Sequence, residues 1–190
     1  TKLVWRPDWG IARYDALLAA ALLIQFLLLR FRLETPREAL VVLIYHVVGT
    51  LMELFKTKMG SWSYPESNIF RIGGVPLFTG FMYAAVGSFM VRAIRLFDMR
   101  FEPYPPFWVT LALAGAIYVN FFTHHYGPDL RYLLFAATLL VYGRTIIRFR
   151  PADRTFGMPL VVAALLTALF LWIAENIGVW TGTWLYPGSG

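Results

Sequence analysis

The chain has 190 residues, 58% of them hydrophobic and 15% charged, where soluble domains carry roughly a quarter charged residues. It has a net charge of +6 and no cysteine, which excludes disulfides and thiolate chemistry. Its arginines gather in short loops between apolar runs, a pattern that orients membrane proteins and is not a nucleic-acid footprint. The expected class is all-α: a polytopic transmembrane helical bundle, one integral-membrane domain over residues 1–190.

Six segments are long enough to be read as spans of about 30 Å of hydrocarbon at roughly 20 residues each. The first runs from Tyr14 to Leu29 and stops at Arg30-Phe31-Arg32. Thr35-Pro36-Arg37-Glu38 then reads as a capping box, with Thr35 as N-cap and Glu38 reaching back, so the second span starts at Pro36 and ends near Phe55. After a loop rich in Gly, Ser, Pro and aromatics from Lys56 to Gly74, the third span covers Val75 to Ile94, with small residues that let helices approach closely. The remaining spans are Pro105 to His124, Leu130 to Ile147 and Phe156 to Gly178. Loops one, three and five carry ten arginines, and the other side carries seven Lys or Arg, Lys2 and Arg13 among them. The positive-inside rule therefore puts those three loops in the cytoplasm of a multi-pass membrane protein. The chain opens at Thr1 and closes on Pro187-Gly188-Ser189-Gly190 without a cleavable signal pattern, so flanking helices are expected beyond both ends.

One pattern occurs twice. Glu53 is followed nine residues later by Trp62-Ser63-Tyr64-Pro65, and Glu175 nine residues later by Trp184-Leu185-Tyr186-Pro187, an offset of 122. Arg30-Phe31-Arg32 and Arg148-Phe149-Arg150 precede the two helices at similar distances. This spacing suggests a tandem repeat of four spans each, with helices missing at the ends. Both motifs and the His124-His125 turn are expected on one face, opposite the arginine-rich loops.

The candidate residues are the polar ones set in apolar helices, where ionisable groups are costly and tend to have work to do. Glu53 and His46 lie two helical turns apart on one face, with Lys56 placed to pair with Glu53. Glu175, beside Asn176, is the one ionisable residue of the sixth span. Glu53, Glu175 and His46 are the catalytic candidates. Asn120, Asn176, Trp62, Tyr64, Trp184 and Tyr186 are the binding candidates, the aromatics being equally at home in an interfacial belt. His124 and His125, with Asp129 near, are metal candidates by ligand type, although the spacing matches no metal signature and no motif requires a cofactor.

The strings His46-x-x-Gly49-Thr50-x-Met52-Glu53-Leu54-Phe55-Lys56, Gly60-Ser61-Trp62-x-Tyr64-Pro65, Val75-Pro76-Leu77-Phe78-x-Gly80-Phe81-Met82-Tyr83, Asn120-Phe121-Phe122-Thr123-His124-His125 and Ala174-Glu175-Asn176 with Trp184-x-Tyr186-Pro187 resemble the bacterial integral-membrane family called domain of unknown function 817. The resemblance covers nearly the whole chain and implies a multi-pass protein of the bacterial inner membrane with further helices, both motifs and the His124-His125 turn then being periplasmic, but it implies no activity. A fainter likeness to membrane carotenoid cyclases and hydratases implies protonation of polyenes.

The leading functional expectation is a cofactor-free acid/base enzyme, an isomerase, cyclase or hydratase of a lipid-soluble, isoprenoid-like substrate, with one Glu as acid and the other, or His46, as base. The alternatives are a small-molecule transporter or binding protein, and a structural subunit of a membrane complex. The partners expected are the lipid bilayer and an apolar small molecule, with no nucleic acid.

Overall fold

A computed structural model describes residues 5–188, so Lys2 and the closing Ser189-Gly190 lie outside the described residues. The chain is mostly helical. After a 3-10 turn at Pro7–Trp9, the described residues form α1 (Arg13–Arg30), α2 (Pro36–Lys58), α3 (Phe78–Leu96), α4 (Phe107–Thr123), α5 (Arg131–Tyr142) and α6 (Leu160–Trp180). Five short strands sit in the connections: β1 (Arg71–Ile72), β2 (Val75–Pro76), β3 (Arg100–Glu102), β4 (Ile146–Phe149) and β5 (Phe156–Pro159).

The expected capping box is present. Thr35 Oγ1 accepts from the Glu38 backbone N–H at 3.2 Å, Glu38 Oε2 accepts from the Thr35 N–H at 2.7 Å, and Pro36 occupies the first turn. α2 then continues to Lys58, where Gly60 at φ +69° helps turn the chain away.

Where six spans were expected, two helices among the described residues, α2 and α6, are long and apolar enough to cross a membrane. The corrections have local causes. The fifth apolar run is helix for only the 12 residues to Tyr142, because β-branched Ile146 and Ile147 leave for a strand just after Thr145. The sixth begins four residues late: Gly157 and Pro159 suit helix poorly and lie in β5. Val75-Pro76 likewise belongs to a strand, closing a hairpin whose turn residues Gly73 and Gly74 both have positive φ. α4 is apolar but has 17 residues, and α1 and α3 carry Arg13, Asp15, Arg92 and Arg95 within 18 and 19. An apolar run alone does not distinguish strand from helix.

The backbone packs into two compact units, residues 1–92 with 173–190, and residues 93–172; α3 and α6 run through the division. In the first unit the core lies among the aromatic loops, formed by Tyr14, Tyr64, Val75 and Phe78 with Leu54, Trp62, Met82 and Trp184 around them. By contrast Leu22, Leu23 and Phe26 of α1 and Leu40, Leu43 and Ile44 of α2 are exposed. In the second unit β4 is the central strand of the antiparallel order β3-β4-β5. Thr145, fully buried, ties that sheet by donating to the Pro103 carbonyl at 2.8 Å.

Candidate functional site

The centre of the first unit is the Glu53 carboxylate. It sits in the penultimate turn of α2, 3% exposed. Oε2 accepts from the Trp62 indole N–H and from the Tyr64 hydroxyl, each at 2.7 Å, and Oε1 accepts from the Tyr83 hydroxyl at 2.8 Å. An indole nitrogen can only donate, so the cage matches a carboxylate, which is acceptor-only. The loop after α2 supplies two of the donors and α3 the third. Burial pushes the Tyr64 phenol above its ordinary range and the facing Glu53 charge adds to it, so Tyr64 keeps its proton for the hydrogen bond.

Glycine makes the α2–α3 approach that brings Tyr83 in. A Cβ on Gly49 would lie 2.5 Å from the Tyr83 ring. Gly49→Ala is therefore expected to push Tyr83 off Glu53. A double-mutant cycle checks this: Tyr83→Phe costs about 1.5–3 kcal/mol in the parent, as for a hydrogen bond to a charge, and nearly nothing in the Gly49→Ala background. His46 lies on the same seam. Its ring packs on Phe81 at 4.3 Å, its Nδ1 is buried without a hydrogen-bond partner, and among the described residues no bond joins it to Glu53.

The second motif is adjacent to the first. Ser63 and Leu185 exchange both backbone N–H···O bonds at 2.9 Å, and the Trp62 and Tyr186 rings meet edge to face at 6.2 Å. The cage is not repeated. The position corresponding to buried Lys56 is Gly178, whose missing Cβ would stand 2.1 Å from the Trp184 ring, so Trp184 covers the end of α6. Glu175 and Asn176 are exposed on α6, and Glu175 has no hydrogen bond or ion pair among the described residues. Its charge is nonetheless felt by Tyr186. Burial raises that phenol above its ordinary range, Glu175 adds to the shift, the Trp184 indole opposes it, and Glu53 contributes a further rise.

The start of α1 locks this assembly. The Arg13 guanidinium, 3% exposed, pairs with Glu66 at 2.7 Å and donates to the carbonyls of Thr181 at 3.2 Å and Gly182 at 2.9 Å. Tyr14 donates to the Thr183 carbonyl at 2.7 Å. Asp15 accepts from the Asn68 side chain and from the Ile69 and Phe70 backbone N–H groups at 2.8–3.0 Å.

Asn120, His124 and His125 belong to the second unit. Asn120 organises the turn after α4, accepting from the Leu130 N–H at 2.9 Å and donating to Asp129 at 3.2 Å. His124 Nδ1 lies 2.9 Å from the Asn120 carbonyl, and the His124 and His125 rings lie 4.1 Å apart, tilted by 34°. Among the described residues no three His, Asp or Glu side chains converge as a metal set would require.

The family's sequence profile, described as "Protein of unknown function (DUF817)", matches residues 1–190. The chain belongs to this family. A relative in Bacillus subtilis (strain 168), described as "Uncharacterized protein YoaT", is 42% identical over 179 residues, which cover 94% of this chain and 68% of the relative. No solved structure matches.

In this DUF817 chain, sequence reading misses Tyr83, Arg13, Tyr14 and Asp15 as parts of the Glu53 assembly. Tyr83 is 30 residues from Glu53, with no local spacing to link them. Arg13 counts in the sequence only as one of the orienting charges, and Asp15 carries no motif. The available signal was that Arg13, Tyr14 and Asp15 are consecutive, which puts polar groups all round a helix and argues against a lipid-facing start.

Proposed function

We propose that this chain is an integral, multi-pass protein of the bacterial cytoplasmic membrane that performs acid–base chemistry on a lipid-soluble, isoprenoid-like substrate. Glu175 is the carboxylate that exchanges a proton with the substrate, and Glu53 is the fixed one. The apolar lengths of α2 and α6 and the exposed leucines of α1 and α2 support the membrane part. The observation that carries the chemistry is the contrast between the carboxylates. Glu53 is held by three donors, whereas Glu175 is exposed on an apolar helix with no partner among the described residues. Two acid groups in opposed settings, with a phenol sensing both, form the usual arrangement for dividing acid and electrostatic roles.

The reaction needs no cofactor. Glu175 gives a proton to one carbon of a double bond, the neighbouring carbon becomes cationic, and a second C–H beside it loses its proton to the Glu175 carboxylate, so the double bond moves. The rings of Trp62 and Tyr186 and the fixed Glu53 charge favour the cation. In this mechanism His46, on its Phe81 contact, takes no direct part.

The test compares organic extracts of wild type and Glu175→Gln, purified in mild detergent, by mass spectrometry. The variant is expected to accumulate a lipid-soluble compound that added wild-type protein converts to an isomer of the same mass. No difference between the extracts would overturn the acid–base reading. The carrier reading is favoured by one observation, that Glu53 is sealed by its own donors. It expects the same compound in both extracts, bound and unchanged.

A further inference from the structure

A second site lies away from both carboxylates. A cavity of about 310 Å³ opens between α1 and α3, with Val42 of α2 at its back. Ala21, Ile24, Phe81, Ala85 and Phe89 make its wall, and Gln25, Ser88 and Arg92 make its polar part. Its volume is that of a small ligand pocket.

The polar part is an asymmetric cluster around Glu34, which is 3% exposed in the α1–α2 turn. Gln25 donates to Glu34 Oε2, Ser88 Oγ donates to Oε1, and Arg92 Nη2 reaches Oε1 at 3.2 Å and Ser88 Oγ at 3.2 Å. Both carboxylate oxygens are therefore satisfied, while the guanidinium is not. Arg92 has five N–H donors and uses those of Nη2; its Nε is buried without a partner, and no described residue accepts from Nη1. The Arg92 side chain is 26% exposed, but its idle Nε is buried at the end of an apolar groove, and such a donor calls for an oxygen-rich acceptor. The local charge agrees in sign: Arg30, Arg32 and Arg37 are exposed on the same turn, and with Arg92 they outnumber the buried Glu34 and Glu38.

We propose that this cavity binds the acyl chain of an anionic amphiphile, with the chain along Ile24, Phe81 and Phe89 and the acidic head on the free donors of Arg92. A fatty-acid carboxylate and an acidic phospholipid share this chemistry. The inference rests on the membrane part of the reading above and is independent of the acid–base part.

The experiment is native mass spectrometry of delipidated protein with oleate, dioleoyl phosphatidylglycerol or dioleoyl phosphatidylcholine. One anionic molecule per chain is expected, preferred roughly tenfold over the zwitterionic lipid because of charge-assisted hydrogen bonds. Oleate binding alone identifies a free fatty acid, and phosphatidylglycerol binding alone a membrane lipid. Ala85→Trp fills the groove from an exposed position without touching the Glu34 cluster and is expected to abolish the bound species. Arg92→Gln is expected to bring the preference close to one. Equal binding of all three lipids by wild type, or unchanged binding by Ala85→Trp, overturns the proposal. Recovery of the protein in the soluble fraction removes the membrane reading, while the oleate arm still reports on the cavity.

Discussion

Glu53→Ala is expected to destabilise the protein by about 3–5 kcal/mol, the range for removing one partner from a buried charged cluster. Three donors, the Trp62 indole and the Tyr64 and Tyr83 hydroxyls, lose their common acceptor. Tyr64 has the least room to recover, being 7% exposed in the aromatic core. A buried donor left without a partner costs about 1–3 kcal/mol, and the three losses overlap because the groups share one site. Glu53→Gln keeps the shape but turns one acceptor into a donor that faces other donors, so it is expected to be intermediate. Glu175→Gln is the contrast. Exposed and without a partner among the described residues, it is expected to stay within about 0.5 kcal/mol of wild type. Thermal unfolding of the three variants in one mild detergent checks the order. Equal midpoints for Glu53→Ala and wild type would show that the cage does not hold the loops.

The second large effect belongs to Gly80, in the first turn of α3. A Cβ there would stand 2.4 Å from Thr50 Oγ1, 2.5 Å from His46 Nδ1 and 2.7 Å from the His46 carbonyl oxygen. Side chains can rotate away; a helix carbonyl cannot, so α2 and α3 must separate. Gly80→Ala is expected to cost about 1–3 kcal/mol from overpacking, despite alanine's better helix propensity. The separation also withdraws Tyr83 from Glu53, so unfolding is expected to come with a change in Trp62 fluorescence. Gly115, in α4, has nothing within 4 Å of its would-be Cβ. Gly115→Ala is the control, expected to be neutral or to stabilise by up to about 1 kcal/mol. Equal effects at the two glycines would contradict close packing of α2 on α3.

Local physics was well expressed in the sequence. The Thr35–Glu38 box needs four consecutive residues and forms as read. Glu53, Trp62 and Tyr64 stand out as one pattern because the loop that follows α2 returns directly onto its last turns. The second copy takes a different setting for a definable reason: the residue three positions after the glutamate is Lys56 in one and Gly178 in the other. That difference turns Trp184 onto the helix and leaves Glu175 outside a cage. Long-range partners were invisible, as with Tyr83, and so was the use of Arg13 to cap the carbonyls of Thr181 and Gly182, 168 and 169 residues away. The strands at Ile146–Phe149 and Phe156–Pro159 pass as span ends because hydropathy does not register backbone pairing.

The division of labour between the two carboxylates is tested most directly by turnover. The compound that accumulates with Glu175→Gln is offered to wild type, Glu175→Gln and Glu53→Gln, and each rate is corrected for the folded fraction. Loss of the exchanging acid is expected to lower the rate by about 10²–10⁴-fold in Glu175→Gln, with a smaller loss in Glu53→Gln. Wild-type turnover by folded Glu175→Gln would contradict the account.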